Sequence, residues 1–172
     1  KSGTKVFDWT VPDEWNVESA KIYDPEGRII VDFDVNNLYL MSYSLPVDRV
    51  LTLKELKEHL ITDQTRPDWI PYATSYYKDD WAFCLPYNFI EKMVDGDYRV
   101  TIRSQKEPGE LLYAESFIDN GASKEVLISS YICHPSMAND SLSGVVLAVD
   151  LFKELKKKPN LKYNYRFLFA PE

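Results

Sequence analysis

Apolar residues follow two different spacings in the C-terminal third of the chain. Residues 125–132 form a nearly continuous apolar and small run, which is typical of a strand buried on both faces. Residues 141–157 predict a helix, because apolar side chains recur at helical spacing and lysines close the segment. The apolar positions of this helix are Leu142, Val145, Val146, Val149, Phe152 and Leu155. With a further strand at residues 165–170, the order predicts a βαβ unit with parallel strands.

The sequence pattern of the rest of the chain is typical of a β-rich protein. β-Branched and aromatic runs bounded by turn residues predict strands, at residues 4–10, 20–23, 28–33, 38–44, 98–104 and 111–118. Residues 13–19 are polar and predict a short helical turn, and residues 24–27 carry the Pro and Gly expected of a hairpin turn. We therefore expect an α/β fold in which residues 12–107 form a small β-rich domain and a parallel or mixed sheet with helices follows.

Thr52 is predicted to begin the one helix of the β-rich region. Thr52 and Glu55 have the spacing of a capping box, and Leu53, Leu56 and Leu60 continue at helical spacing to residue 61. His59 lies on this surface among charged residues, so a solvated helix residue is a better interpretation than a metal ligand.

Residues 66–86 hold an unusual density of aromatic and proline side chains. They include Trp69, Tyr72, Tyr76, Tyr77, Trp81 and Phe83. Such a segment is able to form a ligand platform, since aromatic rings offer a large contact area at low entropic cost. The other interpretation, which we favour, is that a small β domain needs large side chains to fill its core. Cys84 is likewise interpreted as a small core residue.

Charge and cysteine content narrow the class of protein. The chain has 172 residues and a net charge of −7, which argues against nucleic acid or an anionic membrane as the main partner. No apolar run approaches 18 residues, so no membrane span is predicted. Two cysteines are too few for a disulfide framework, and we expect a cytoplasmic protein. Because the chain stops directly after a predicted strand, we also expect a segment of a longer protein.

Three metal-ligating residue types are predicted to meet at one edge of the sheet. His134 follows the strand at residues 125–132, Glu172 follows its predicted parallel neighbour, and Asp140 lies at the start of the helix between them. Ligands bind outside the carboxyl ends of strands in open α/β sheets. Imidazole and carboxylates are ligands of catalytic zinc and of two-metal hydrolytic sites. Taken singly, Asp140 could be only a helix N-cap and His134 only a loop residue.

Two runs in this region resemble the co-catalytic zinc aminopeptidases. They are residues 133–144, Cys-His-Pro-Ser-Met-Ala-Asn-Asp-Ser-Leu-Ser-Gly, and residues 167–172, Phe-Leu-Phe-Ala-Pro-Glu. The chain most resembles a bacterial aminopeptidase-like branch known as a domain of unknown function, to which residues 7–12, 42–44 and 70–77 are also similar. The resemblance implies part of a peptidase core, residues 1–11 and 108–172, which continues beyond residue 172 and carries residues 12–107 as an inserted domain.

The resemblance also implies roles for the three candidate ligands. His134 would bind one zinc ion, Asp140 would bridge two, and Glu172 would bind the second, with further ligands beyond residue 172. A cis peptide is expected at Asn139–Asp140. The position before the ligand glutamate, which carries the general base in the characterised enzymes, is Pro171 here, so no general base is assigned. In the characterised enzymes an aspartate that supports the ligands lies two residues after the histidine, and this position is Ser136 here. The loop from the histidine to the bridging aspartate is also shorter in this chain.

The leading functional hypothesis is a zinc-dependent aminopeptidase-like hydrolase that acts on a peptide or amide bond. The alternative is a non-catalytic binding or scaffolding protein on a peptidase-like fold, which would hold its ligand on the aromatic segment. A third interpretation makes the β-rich region a gate over the metal edge. Deleting that region would then change specificity and leave metal content unchanged.

Overall fold

The computed structural model describes residues 1–134 and 136–171 of the chain. It divides into two compact units. The α/β unit consists of Lys1–Val11 and Glu110–Glu172, and the β-rich unit consists of Pro12–Gly109.

Eleven strands and three helices are present in the described residues, with two irregular turns. The strands are β1 (Lys5–Val6), β2 (Trp9–Thr10), β3 (Glu14–Tyr23), β4 (Ile29–Asp32), β5 (Val47–Thr52), β6 (Leu60–Ile61), β7 (Phe83–Cys84), β8 (Asp97–Glu107), β9 (Ala114–Ile118), β10 (Glu125–Tyr131) and β11 (Asn164–Ala170). The helices are α1 (Leu53–Lys57), α2 (Tyr87–Ile90) and α3 (Gly144–Lys156). A 3₁₀ turn spans Asn37–Tyr39, and a π-type turn spans Ala138–Ser143.

A three-stranded mixed sheet organises the α/β unit. Its strand order is β10-β11-β9, with β10 parallel to β11 and β11 antiparallel to β9. The predicted strand–helix–strand order and the parallel pairing are therefore confirmed. Helix α3 packs on one face of this sheet, where the Phe152 ring meets the buried Phe167 edge-on at 5.3 Å between centroids.

Arg166 ties the three strands together on the sheet. Its guanidinium donates two hydrogen bonds to Glu125 on β10, at 2.6 and 3.0 Å, and a third to Glu115 on β9. The same group lies 4.7 Å from the centre of the Phe117 ring. Because these partners come from both neighbouring strands, Arg166 fixes their register by charge as well as by backbone pairing.

The β-rich unit is built on a four-stranded antiparallel sheet. The strand order is β4-β3-β8-β5, and the short parallel pair β6–β7 lies in the same unit. One face of the sheet supports a core that combines strand residues with Leu56 and Phe83. The hairpin predicted at residues 20–33 is confirmed as β3–β4.

Several predicted elements have different bounds. Residues 4–10 form two short strands, because Phe7 adopts a positive φ of 54° and turns the chain. The helical turn predicted at residues 13–19 is wrong, since residues 14–19 belong to the long strand β3. Pairing with β8 satisfies the polar segment as a strand along its whole length. The strand predicted at residues 38–44 is replaced by the end of the 3₁₀ turn Asn37–Tyr39 and by isolated bridges at Leu40 and Ser42.

Helix α1 begins as predicted and ends early. The Thr52 side chain accepts a bond from the Glu55 amide, and the Glu55 carboxylate accepts one from the Thr52 amide, so the capping box is confirmed. The helix stops at Lys57, because Leu60 and Ile61 pair with β7 as strand β6. Tertiary pairing therefore overrides the helical spacing of Leu60. Within the described residues, no helix is long and apolar enough to cross a membrane.

Candidate metal centre

Two parallel strands end side by side and place their following residues at one edge. Tyr131 and Ala170 are partners in the β10–β11 register, and the Ile132 amide donates to the Ala170 carbonyl at 3.2 Å. His134 therefore follows the carboxyl end of one strand, and Pro171 follows the other. Glu172, the third candidate ligand, lies outside the described residues.

His134 and Asp140 face each other across the loop between β10 and α3. The distance from His134 Nε2 to Asp140 Oδ2 is 3.7 Å, and the exposed fractions of the two side chains are 18% and 59%. The Met137 amide donates to the His134 carbonyl at 3.2 Å and closes the loop. Asp140 has extended backbone angles, φ −115° and ψ 96°, within an otherwise helical turn. That conformation turns the aspartate out of the helical path and toward the histidine.

The donor set and its spacing fit a shared cation. A distance of 3.7 Å exceeds the usual range of a hydrogen bond. It is close to the separation of about 3.3 Å between two ligand atoms on one tetrahedral zinc ion. Among the described residues no group of three His, Cys, Asp or Glu side chains could hold a metal. His134 and Asp140 are therefore two members of a possible set, and Glu172 is the remaining candidate.

The N-cap interpretation of Asp140 is not supported by the geometry. The residue at the N-cap of α3 is Ser143, and no side chain makes a capping bond there. The preceding turn is likewise capped by Met137 without a side-chain bond. The cis peptide expected at Asn139–Asp140 occurs one bond later, at Asp140–Ser141.

A cleft of about 350 Å³ opens beside Asp140. It is lined by residues from the end of β10 and from the turn before α3, namely Ser129, Ser130, Tyr131, Asn139, Asp140, Ser141, Ser143 and Gly144. Gly144 permits the close approach of helix and strand, because a Cβ at this position would lie 2.7 Å from Ser130 Oγ. The glycine thus positions the start of α3 against the strand end.

Comparison with known proteins assigns the β-rich unit to a family. Residues 14–105, more than half of the chain, match the family model described as "Domain of unknown function (DUF2172)". The chain belongs to the DUF2172 family. The matched residues fall within the β-rich unit, Pro12–Gly109.

Two matches extend the likeness over the whole chain. The chain is 51% identical over 172 residues to a Clostridium acetobutylicum protein called "Putative polysaccharide biosynthesis protein with aminopeptidase-like domain". It also superposes with a TM-score of 0.94 on 99% of its length, at 51% identity, on a crystal structure of a "putative peptidase" from Clostridium acetobutylicum. The chain spans only 39% of that protein and 40% of that crystallised chain. The similarity supports an aminopeptidase-like relationship for this DUF2172 protein.

His59, in the DUF2172 region, packs against the core residue Trp81. It follows α1, stacks on Trp81 with 3.8 Å between ring centroids, and its Nδ1 lies 3.2 Å from the Trp81 carbonyl oxygen. The prediction of a solvated helix residue is therefore wrong, since the ring is half-buried against an indole. Cys84 is buried as predicted, and burial raises the pKa of its thiol to about 11.

Some residues of the aromatic segment in the DUF2172 region fill the core, and others are exposed as a ligand platform would require. Trp81 and Phe83 are buried in the core, as the packing interpretation requires. Trp69, Tyr72 and Tyr77 are exposed. The sequence did not indicate that Trp15 and Tyr43, distant along the chain, join Tyr76 and Tyr77 in one set of contacting rings. Hydrogen bonds from Trp15 to Ser44 and between the loops at residues 42–45 and 73–80 bring them together.

Proposed function

We propose that the protein is a zinc-dependent aminopeptidase-like hydrolase, built as part of a peptidase core with the DUF2172 region inserted into it. The observation that carries the proposal is the pair His134 and Asp140, whose ligand atoms lie 3.7 Å apart beside the ends of two parallel strands. The printed names of the two relatives support the same class of protein.

Residues of this chain would hold the cation. The imidazole of His134 offers one nitrogen and Asp140 a carboxylate that has two oxygens for a bridge, with Glu172 as the next ligand. When bound, zinc supplies a Lewis acid that polarises the scissile carbonyl and activates water. Pro171 has no group that accepts a proton, so a general base must come from another position.

The first experiment measures the metal content of the full-length protein. Wild type, His134→Ala, Asp140→Ala and Glu172→Gln are purified without chelator, exposed to a molar excess of zinc and measured by atomic emission after desalting. Asp150→Ala serves as the matched control, because Asp150 lies on α3 and pairs only with Lys153 at 3.7 Å among the ion pairs of the described residues. We expect bound zinc in wild type and control, and a loss of at least one ion in the three ligand variants. Equal zinc content in all five proteins would remove the basis of the assignment.

A second experiment separates the hydrolase from the binding alternative. That alternative is favoured by Pro171 and by the exposed aromatic residues of the DUF2172 region. Aminoacyl and N-acyl amide substrates are incubated with the zinc-loaded full-length protein, and free amine is measured. Turnover in wild type that disappears in Glu172→Gln supports the hydrolase. Normal zinc binding without turnover on either substrate series favours the binding protein.

A further inference from the structure

Four aromatic rings of the β-rich unit form a continuous ladder that leads from the core to solvent. Trp15 stacks on Tyr43 with 5.7 Å between centroids and an interplanar angle of 18°. Tyr43 meets Tyr76 edge-on at 4.9 Å, and Tyr76 meets Tyr77 edge-on at 4.8 Å. Tyr77, the outermost ring, is 89% exposed. We call these four residues the aromatic ladder.

The second ring of the ladder is held in a strained backbone conformation. Tyr43 has a φ of +66°, a region that bulky residues rarely adopt and that costs on the order of 1–3 kcal/mol. Such strain persists only where neighbouring contacts fix the conformation, and it is frequent at ligand-binding sites.

The neighbouring residue supplies those contacts. Ser44 is fully buried, and its hydroxyl donates to the Met41 carbonyl at 2.7 Å and accepts from the Ala82 amide at 3.3 Å. Its carbonyl oxygen accepts from Trp15 Nε1 at 3.0 Å and from Ser104 Oγ at 2.8 Å. The turn that presents Tyr43 is thus anchored to β3, β8 and the segment before β7.

The loop that carries Tyr76 and Tyr77 is tied to the same turn. The Ser42 amide donates to the Ala73 carbonyl at 3.0 Å, and the Ser75 amide donates to the Ser42 carbonyl at 2.9 Å. The Leu45 amide donates to the Asp80 carbonyl at 3.0 Å. Because three backbone bonds connect the two loops, the rings of the ladder are preorganised relative to one another.

Polar groups of both signs surround the ladder and cancel each other's charge. Lys106 Nζ lies 6.0 Å from the centre of the Tyr43 ring and 3.2 Å from Asp79. Lys78 pairs with Asp80 at 2.6 Å. A cationic ligand would compete with Lys106 for the ring, and an anionic one would compete with Asp79 and Asp80 for their lysine partners. The surroundings therefore suit an uncharged ligand that both donates and accepts hydrogen bonds.

We propose that the aromatic ladder binds a neutral saccharide. The apolar face of a sugar ring stacks on the exposed ring of Tyr77 beside the half-buried ring of Tyr76, while its hydroxyls match the donors and acceptors offered by tyrosine, lysine and aspartate side chains. A proline-rich peptide also stacks on aromatic rings, but proline lacks an N–H and therefore offers fewer donors to the polar side chains around the ladder than a sugar does. This binding is independent of the proposed metal centre.

The test is calorimetric titration of the full-length protein with neutral oligosaccharides. The probes are cellotetraose, maltotetraose and the N-acetylglucosamine tetramer, and a proline-rich decapeptide and choline are titrated in parallel. We expect saturable binding of at least one oligosaccharide, weakened roughly tenfold or more in Tyr76→Ala and Tyr77→Ala. Trp69→Ala is the matched control, because Trp69 is also an exposed aromatic of this unit but contacts Arg66, and its affinity should equal that of wild type.

Tyr43→Gly separates loss of the ladder from loss of the fold. Glycine adopts a positive φ without strain, so the melting temperature of this variant should not fall, while its saccharide affinity should fall at least as far as in Tyr77→Ala. The proposal is overturned if none of the three oligosaccharides binds wild type, if the peptide or choline binds in their place, or if folded Tyr76→Ala and Tyr77→Ala bind as wild type does.

Discussion

The two units of this chain use their apolar residues in opposite ways. In the β-rich unit, Ile22, Leu56, Phe83, Val100 and further residues are almost wholly buried in one cluster. In the α/β unit, Phe167 and Ala148 are buried, while apolar residues of β10 and α3 remain exposed. The exposed set comprises Leu127 and Tyr131 of β10 and Val146, Leu147, Val149 and Leu151 of α3, together with Leu142 in the turn before α3.

The difference shows that an apolar sequence pattern does not by itself tell how many of its side chains are buried in this chain. Helix α3 is apolar on more than one side, which is typical of a helix covered on two faces. Within the described residues only the side around Ala148, Val145 and Phe152 is turned to the sheet. In a protein limited to these 172 residues, stability should therefore be concentrated in the β-rich unit, and four predictions made on that chain test the contrast.

The largest effect is expected from a cavity in the β-rich core. Phe83→Ala removes a ring that is 0% exposed and should lower the free energy of unfolding by about 3–5 kcal/mol. Leu147→Ala, at a position that is 71% exposed in the α/β unit, should change it by less than about 0.5 kcal/mol. Urea denaturation followed by tryptophan fluorescence and circular dichroism measures both. Similar losses in the two variants would contradict the contrast.

Ser44→Ala should have the next largest effect. It leaves the Ala82 amide without its buried hydroxyl acceptor, while the Met41 carbonyl keeps only the bond from the Ser44 amide, and it should lower the free energy of unfolding by about 1–3 kcal/mol. Ser143→Ala is the counterpart in the α/β unit, because its hydroxyl bonds the Asn139 carbonyl at 2.7 Å on an exposed surface where water can substitute. Its loss should stay below about 0.5 kcal/mol in the same denaturation experiment.

Gly144 tests the close approach within the α/β unit. Alanine favours a helix over glycine by about 1 kcal/mol, but its Cβ would lie 2.7 Å from Ser130 Oγ. Gly144→Ala should therefore be stabilising in a Ser130→Ala background and less favourable by about 1 kcal/mol in wild type. A double-mutant cycle from thermal unfolding measures this coupling. Independent effects would mean that Ser130 rotates away without cost.

The smallest effect concerns the pH dependence of the same unit. Hydrogen bonding to Arg166 lowers the pKa of Glu125 below its usual 4.5. A depressed pKa in the folded state stabilises the protein above the unfolded value, and this contribution is lost as pH falls through the folded pKa. Glu125→Gln should thus unfold with a weaker pH dependence below about pH 5, and the two proteins should converge at the acid end. Acid titrations of both proteins followed by circular dichroism test this prediction. Unfolding curves of wild type and Glu125→Gln that depend on pH in the same way would contradict it.

The local elements that the sequence predicted correctly depend on neighbouring residues. The capping box at Thr52 and Glu55, the hairpin turn at residues 24–27 and helix α3 all arise within a few residues. The parallel pairing of β10 with β11 follows from the strand–helix–strand order, because a crossover helix joins parallel neighbours in a βαβ unit. The polar start of β3 and the early end of α1 could not be predicted, because pairing with distant strands decided them.

The candidate metal centre was predictable in part for the same reason. A histidine at a strand end and an aspartate before a helix are local features, and their meeting at one edge follows from βαβ geometry. The extended conformation of Asp140 could not be predicted from local spacing, and the cis peptide that the family resemblance implied at Asn139–Asp140 occurs one bond later.

By itself, the sequence determined the strand–helix–strand order, the cap of α1 and the placement of His134 and Asp140 around one loop, because each depends on local spacing and chain handedness. Tertiary structure alone decided that Trp15, Tyr43, Tyr76 and Tyr77 form one ladder and that α3 leaves apolar residues exposed. The physical reason is that ring contacts and burial depend on residues far apart in the chain. The strained conformation of Tyr43 is likewise stable only because the buried hydrogen bonds of Ser44 hold the turn.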